Sequence, residues 1–247
     1  MKRLLSLFDY SGKWGEPFAA NGWDVIAWDI KTADFMDINL LDSCETVLDM
    51  FEDVHGILSA PPCTDFTVSG AQYWSKKDAN GTTQKSLELV YQVQRLVDLF
   101  RPTDPDYDEV FFWALENPAG RISKLTDIGQ PYYFNPCDFA LHLPLTTDDH
   151  NWLNEIRQKD GHFVTNEENE HVLKCNAYNK KTGIWGEFNR NLRKARVEPV
   201  KTSPQGTFTQ RLGGKSDRTK ELRSNTPEGF ALAFYEANFN HTININS

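Results

Sequence analysis

RLLSLFDYSGKWGEPFAANGWDVIAWDI, residues 3 to 30, is the stretch that decides the fold. RLLSLF (3 to 8) reads as a short buried strand, WGEPFAANG (14 to 22) as a helix closed by Gly22, and WDVIAWDI (23 to 30) as a second strand. Strand, helix and strand in that order form a β-α-β unit, which predicts a parallel sheet. The pattern continues outward. HGILSA (55 to 60) is the next strand, SLELVYQVQRLVDLFRP (86 to 102) a long amphipathic helix stopped by Pro102, and EVFFWALEN (109 to 117) a further strand. In a mostly parallel α/β sheet the loops at the carboxyl ends of the strands carry the chemistry.

Past Pro118 the periodicity weakens. Residues 142 to 176 are acidic and polar with one helical patch from Trp152 to Arg157, and read as an insertion or small subdomain. KKTGIWGEF (180 to 188) resumes as a strand, within a returning core segment over 177–188. Residues 189–225 are basic and irregular. TPEGFALAFYEANF (226 to 239) is a closing helix with Thr226 as N-cap and Pro227 at its first position, and the remaining tail to 247 is expected to fray.

A chain of 247 residues with 39% hydrophobic content can bury a substantial core. No run approaches the roughly eighteen apolar residues of a membrane helix, and the first residues do not form a signal peptide, so no membrane partner and a cytoplasmic location are expected. The four cysteines lack a C-x-x-C pair, and no histidine sits four residues from another, so free thiols and no metal are expected. Net charge is -9, but it is unevenly spread: between Arg190 and Arg223 ten basic residues face only Glu198, Asp217 and Glu221. A solvated loop or a surface that meets phosphates would both fit that run.

Three loops then share one edge of the expected sheet. The first carries Phe8, Asp9, Ser11 and Gly12, the second Cys63 behind Pro61 and Pro62, and the third Glu116 and Asn117. A thiolate and a carboxylic acid facing one pocket suit addition to an electron-poor ring, sulfur attacking a ring carbon while a proton is held at a ring nitrogen. The two prolines restrict the backbone ahead of Cys63 and so fix the direction in which its sulfur is presented. LFDYSGKWG lacks the glycine spacing of a dinucleotide site, because Tyr10 and Lys13 stand where glycines would admit a pyrophosphate. Asp29, at the end of the second strand, is placed to accept hydrogen bonds from ribose hydroxyls. An adenosine ligand without phosphates points to S-adenosylmethionine. Trp74, Trp113 and Trp185 read as core or cofactor-lining aromatics.

The motifs GILSAPPCTDFTVSGAQYW, WALENPAGRI, FNPCDFA, KKTGIWGEF and RSNTPEGFALAFYEAN occur in this order. As a set they resemble the DNA cytosine-C5 methyltransferases, and within them the short phage-type DNA cytosine methylases, over nearly the whole chain except 142–176. The resemblance implies a Rossmann-like, S-adenosylmethionine-dependent methyltransferase fold with a small, reduced target-recognition region. It implies a catalytic and cofactor-binding core over 1–141, target recognition in 189–225, and a closing core helix in 226–247. Cys63 would add to C6 of a flipped-out cytosine, Glu116 would hold and protonate N3, and Asn117 would fix the Pro-Cys loop. The family's Gln-x-Arg-x-Arg motif is met only by Lys180 and Lys181, of which Lys181 is taken as the catalytic counterpart. The cofactor set expected is Phe8, Asp9, Ser11, Gly12, Trp14, Asp29, Ile30, Asp37 and Pro61. Duplex DNA is the expected partner, met by Arg193, Lys194, Arg196, Arg218 and Arg223, with no obligate protein partner. If the chain is phage-encoded, the cytoplasm would be that of the host.

Thr67 replaces the family's usual serine, and Pro118 follows Glu-Asn where long members often carry valine. Two other readings stay open: the same chemistry on a free cytidine nucleotide, which the acidic charge suits, and a non-catalytic relative that binds DNA or cofactor. A nicotinamide-dependent enzyme is disfavoured by the glycine spacing.

Overall fold

A computed structural model of the protein describes residues 1–29, 51, 53–103, 111–159, 165–201 and 222–239. In chain order these contain β1 (Arg3–Leu7), α1 (Glu16–Ala20), β2 (Asp24–Trp28), β3 (Val54–Ser59), α2 (Trp74–Ala79), α3 (Thr82–Phe100), β4 (Phe112–Pro118) and α4 (Ile122–Leu125). They continue with β5 (Tyr132–Phe134), α5 (Thr147–Gln158), α6 (Asn166–Lys174), β6 (Thr182–Glu187) and α7 (Glu228–Phe239). The six strands lie in the order β2-β1-β3-β4-β6-β5. β1 runs parallel to both β2 and β3, β3 is parallel to β4, and β6 is antiparallel to β4. This is the mostly parallel α/β sheet expected from the opening stretch, of the Rossmann-like kind that the resemblance implies. The strand order reverses at β1, flanked by β2 on one side and β3 on the other, and such a switch opens a crevice at the carboxyl edge.

Contacts divide the chain into two compact units, one of residues 1–133 and 182–188, the other of residues 134–181 and 189–247. In the first, β1 and β3 contribute Leu5, Leu7 and Ile57 to the core, and α3 lays Leu87, Val90, Val93, Leu96 and Val97 along one face against it. Those spacings of three and four residues follow the helical period, and each fully buried aliphatic side chain contributes about 1.5–3 kcal/mol. Trp113 and Trp185 complete this core. Arg101, just past α3, grips Glu187 of β6 through two hydrogen bonds of 2.6 and 2.8 Å, which holds the glutamate's carboxyl below the usual range.

The second unit has its own core of Leu153, Ile156, Val172, Tyr178, Val197 and Val200, and a separate stack of Phe134 on Phe230 with ring centroids 4.1 Å apart. The helical patch expected at 152–157 extends to twelve residues as α5, and a second helix, α6, follows it. Both start from a capping box in which a threonine and the acidic residue three positions later bond reciprocally: Thr146 with Asp149, and Thr165 with Glu168. That signature is present in the sequence and would have located both helix starts. Residues 189–201 form neither helix nor strand. Among the described residues no helix is long and apolar enough to cross a membrane. The tail 240–247 lies outside the described residues.

Candidate active site

The carboxyl ends of four adjacent parallel strands set the geometry. After β1 the chain turns sharply. Phe8 takes a left-handed φ of 59°, and its N–H donates to the Trp28 carbonyl at 2.7 Å, which ties this turn to the end of β2 where Asp29 follows. Asp9 is buried, and its carboxylate accepts from Ser6 Oγ at 2.8 Å and from Ser11 Oγ at 3.1 Å. Those bonds make Asp9 the clamp of its own turn. Gly12 adopts φ +67°, and the space where a Cβ would stand is open. The left-handed, side-chain-free backbone there leaves room beside the end of β1. Trp14 is fully buried just before α1.

β3 ends at Ser59, and Ala60 N–H still donates to Leu7 O at 3.0 Å, so the chain leaves the sheet at Pro61. The Cys63 carbonyl then accepts from the N–H groups of Phe66 and Thr67 at 3.0 and 3.1 Å, closing a tight turn directly behind the cysteine. Cys63 is half-buried. Ser59 of β3 is registered with Leu115 of β4, so the next two residues of β4, Glu116 and Asn117, emerge beside the departing Pro-Cys loop. Both are buried. Asn117 Nδ2 donates to the Pro61 carbonyl at 3.0 Å, while its buried Oδ1 has no hydrogen-bond partner among the described residues. Successive side chains on a strand point to opposite faces, so Glu116 and Asn117 serve different surroundings from one strand end.

A residue to which the motif reading gave no role holds the two loops together. Arg121 is 7% exposed, and its guanidinium binds Asp78 through two hydrogen bonds of 2.8 and 2.7 Å, Thr83 Oγ1 at 2.9 Å and the Asp65 carbonyl at 3.1 Å. It also lies 4.6 Å from the Trp74 ring centroid, so Trp74 packs against a cation rather than lining the core. Its backbone N–H donates to Phe66 O at 3.0 Å. Beside it, a Cβ on Gly120 would stand 2.0 Å from that same Phe66 carbonyl, so only glycine permits the approach. Asp65 is held in turn by Lys77 at 2.6 Å and by Ser86 Oγ. The arginine beside Asp78 lowers that carboxyl to about 2. No sequence pattern marks Arg121, because its partners lie 38 to 56 positions away.

The expected site residues therefore fall into three groups. Phe8, Asp9, Ser11, Gly12, Asp29, Pro61, Cys63, Glu116 and Asn117 come together along the carboxyl edge of β2, β1, β3 and β4 in the first unit, with Trp14 in the adjoining core. Lys181, Arg193, Lys194, Arg196 and Arg223 belong to the second unit. There Lys180 Nζ donates to the Arg223 carbonyl at 3.0 Å, and Lys194 and Arg196 approach Asp138 at 3.5 and 3.9 Å from exposed positions. Ile30, Asp37 and Arg218 lie outside the described residues.

The edge fits an adenosine-type ligand in chemical character. Asp29 offers a carboxylate at the end of β2, Gly12 leaves open space at the β1 turn, and no glycine-rich phosphate cradle is present there.

No protein-family model matches the chain, and no curated protein matches it. Among solved structures it is similar to a prophage-encoded protein of E. coli provisionally described as a DNA modification methyltransferase, at 15% identity and a TM-score of 0.42. The match covers 81% of this chain and 52% of that one, so the chain spans about half of that protein's length. The strand order and register described above define the fold.

Proposed function

We propose that the protein is a DNA cytosine-C5 methyltransferase that uses S-adenosylmethionine and attacks its target base through Cys63. The observation that carries this reading is the convergence of a rigid Pro-Pro-Cys turn with Glu116 at the ends of β3 and β4, pinned by the buried bond from Asn117 to Pro61. The ordered motifs resembling the phage-type cytosine methylases supply the substrate class.

The chemistry follows from that convergence. Cytosine C5 is a poor nucleophile until something adds at C6. The Cys63 thiolate forms a bond to C6, and Glu116, holding a proton at N3, stabilises the electron density that reaches the ring. C5 thereby gains nucleophilic character. S-adenosylmethionine, when bound, supplies an electrophilic methyl group, and Asp29 with the Phe8–Gly12 turn would hold it. Loss of the C5 proton then expels the sulfur and restores the aromatic ring. Asn117 acts on none of these atoms. It holds the loop carbonyl at Pro61 and so sets where Cys63 stands. The target base must leave the helix for sulfur to reach its face. Exposed Arg193, Lys194 and Arg196 are the phosphate-facing candidates of this reading.

The test is covalent trapping. Duplex DNA containing 5-fluorocytosine, incubated with the protein and S-adenosylmethionine, should yield a stable protein–DNA adduct because fluorine blocks loss of the C5 substituent. Cys63→Ser should abolish it. An undiminished adduct in that variant, or none with wild type under conditions of active methyl transfer, would place the chemistry elsewhere. Parallel assays with labelled donor and single-stranded DNA, RNA or cytidine nucleotides distinguish the acceptor class.

A further inference from the structure

In the second unit, three side chains of different donor types converge on one point. Asp149 Oδ1, His171 Nε2 and Cys175 Sγ form a triangle with edges of 3.5 Å (N to S), 3.6 Å (N to O) and 4.0 Å (S to O). His171 and Cys175 are one helical turn apart, linked by the bond from Cys175 N–H to His171 O at 2.9 Å, so they share a face. Asp149 comes from the first turn of α5. Its other oxygen, Oδ2, is occupied by the capping box, accepting from Thr146 N at 2.8 Å and Oγ1 at 2.7 Å, which aims Oδ1 at the cluster. Trp152 packs on the imidazole with ring centroids 4.1 Å apart.

A hydrogen-bond chain through Cys175 Sγ, which lies within reach of His171 Nε2 and of Asp149 Oδ1, meets two of the three edges and leaves the third, nitrogen to oxygen, without an account. Both the carboxylate and the thiol meet the same nitrogen, and a neutral imidazole nitrogen either donates or accepts, never both. A nucleophile–histidine–acid relay would use the two ring nitrogens separately. The 3.6 Å separation from oxygen to nitrogen is too long for a hydrogen bond. Common ligation brings all three donors to one point: the two edges at nitrogen already lie at or near ligand spacing, and the 4.0 Å edge from sulfur to oxygen closes by about 0.4 Å on binding. A zinc ion held tetrahedrally at about 2.0–2.3 Å from oxygen, nitrogen and sulfur spaces those donors by roughly 3.3–3.6 Å.

We propose that Asp149, His171 and Cys175 form a zinc-class cation site that clamps the start of α5 to the end of α6. Mixed sulfur, nitrogen and oxygen donors favour zinc over magnesium or calcium, which take oxygen ligands. Cys175 and His171 are buried, and half-buried Asp149 gives the side from which solvent supplies the fourth ligand. Lys174 is the cation whose charge reaches both Asp149 and Cys175. Uptake of the divalent ion with release of the Cys175 thiol proton to water raises the local charge by one, and leaves ion, carboxylate and thiolate together neutral beside it. No metal signature stands in the sequence, because the ligands lie on two helices and the His-x-x-x-Cys pair is neither a histidine pair nor C-x-x-C.

The full chain, reduced and stripped with a chelator, should take up one equivalent of zinc in competition with a chromophoric indicator. Cobalt in its place should give a near-ultraviolet thiolate-to-cobalt charge-transfer band and visible bands of tetrahedral intensity. Cys175→Ser should remove the charge-transfer band and weaken zinc by at least the roughly 10–100-fold that even outer-shell partners control. Cys63→Ser, in the other unit, should change neither. Absence of zinc uptake, a cobalt spectrum without the thiolate band, or a band that survives in Cys175→Ser would overturn the site. If Cys175→Ser loses its circular dichroism, Asp149→Asn serves instead, since its amide oxygen preserves the cap to Thr146. It should lose at least about 10-fold in zinc affinity with helix content unchanged, and undiminished affinity would equally overturn the site.

Discussion

Asn117 donates from its buried amide to the carbonyl of Pro61 at 3.0 Å, joining β4 to the residue two positions before Cys63. Because Pro61 and Pro62 have no N–H to donate, only their carbonyls can tie the loop backbone there, and this side chain secures the one at Pro61. Asn117→Ala is expected to lose about 1–3 kcal/mol of stability through the stranded carbonyl. In the proposed methyltransferase it should lower the rate of adduct formation far more than donor affinity. Denaturant melts and single-turnover trapping measure the two effects separately, and a variant that traps at the wild-type rate would remove Asn117 from the positioning of the thiol.

The Arg121–Asp78 pair makes a pH prediction. Asp78 is lowered to about 2 by its bonds from Arg121 and Thr83, whereas an unfolded aspartate titrates near 3.9. A depressed carboxyl adds stability that is present above the unfolded value and is lost as pH falls through the folded one. The stability difference between wild type and Asp78→Asn should therefore be constant above pH about 5 and shrink between about pH 4 and pH 2. Urea melts across that range check it, and a gap that persists unchanged at pH 2 would mean that the pair's charge is not what stabilises the loops.

Asp29 stands just past β2, beside the turn that Phe8 ties to Trp28. If it accepts from ribose hydroxyls, Asp29→Ala should weaken S-adenosylmethionine by roughly 1–3 kcal/mol, the cost of removing a charge-assisted hydrogen bond. Calorimetry with the donor alone reads this without any DNA. Unchanged affinity would place the donor elsewhere along the edge.

Arg193, Lys194 and Arg196 are exposed, and only Lys194 and Arg196 approach Asp138, at 3.5 and 3.9 Å. Ion pairs of that length on exposed side chains contribute little, so their charge is available to a phosphate backbone. Duplex affinity should fall with salt at a log-log slope of roughly -0.9 per phosphate neutralised, and removing the three charges should flatten it. A shallow slope in both proteins would favour a free nucleotide as acceptor.

Much of the first unit was legible in the residues themselves. β1, α1, β2, β3, α3, β4 and β6 each carry a local signal, whether a short apolar run or an amphipathic period, that depends only on neighbours in the chain. The candidate edge was legible for the same reason: in a parallel sheet, residues just after strands must emerge on one side, so Phe8, Asp29, Cys63 and Glu116 group together from their positions in the sequence. The starts of α5 and α6 were equally local, in the threonine–acid capping boxes. What only the tertiary structure decided depends on pairings between distant positions. Asp65, Asp78 and Thr83 look like ordinary polar residues until folding buries Arg121 among them, because a buried guanidinium must find acceptors wherever the chain brings them. Asp149 is likewise unrelated in sequence pattern to the His171–Cys175 pair, and its donor atom meets theirs because two capped helices pack against each other. Local propensity specifies elements, whereas the directions in which their side chains meet are set by packing.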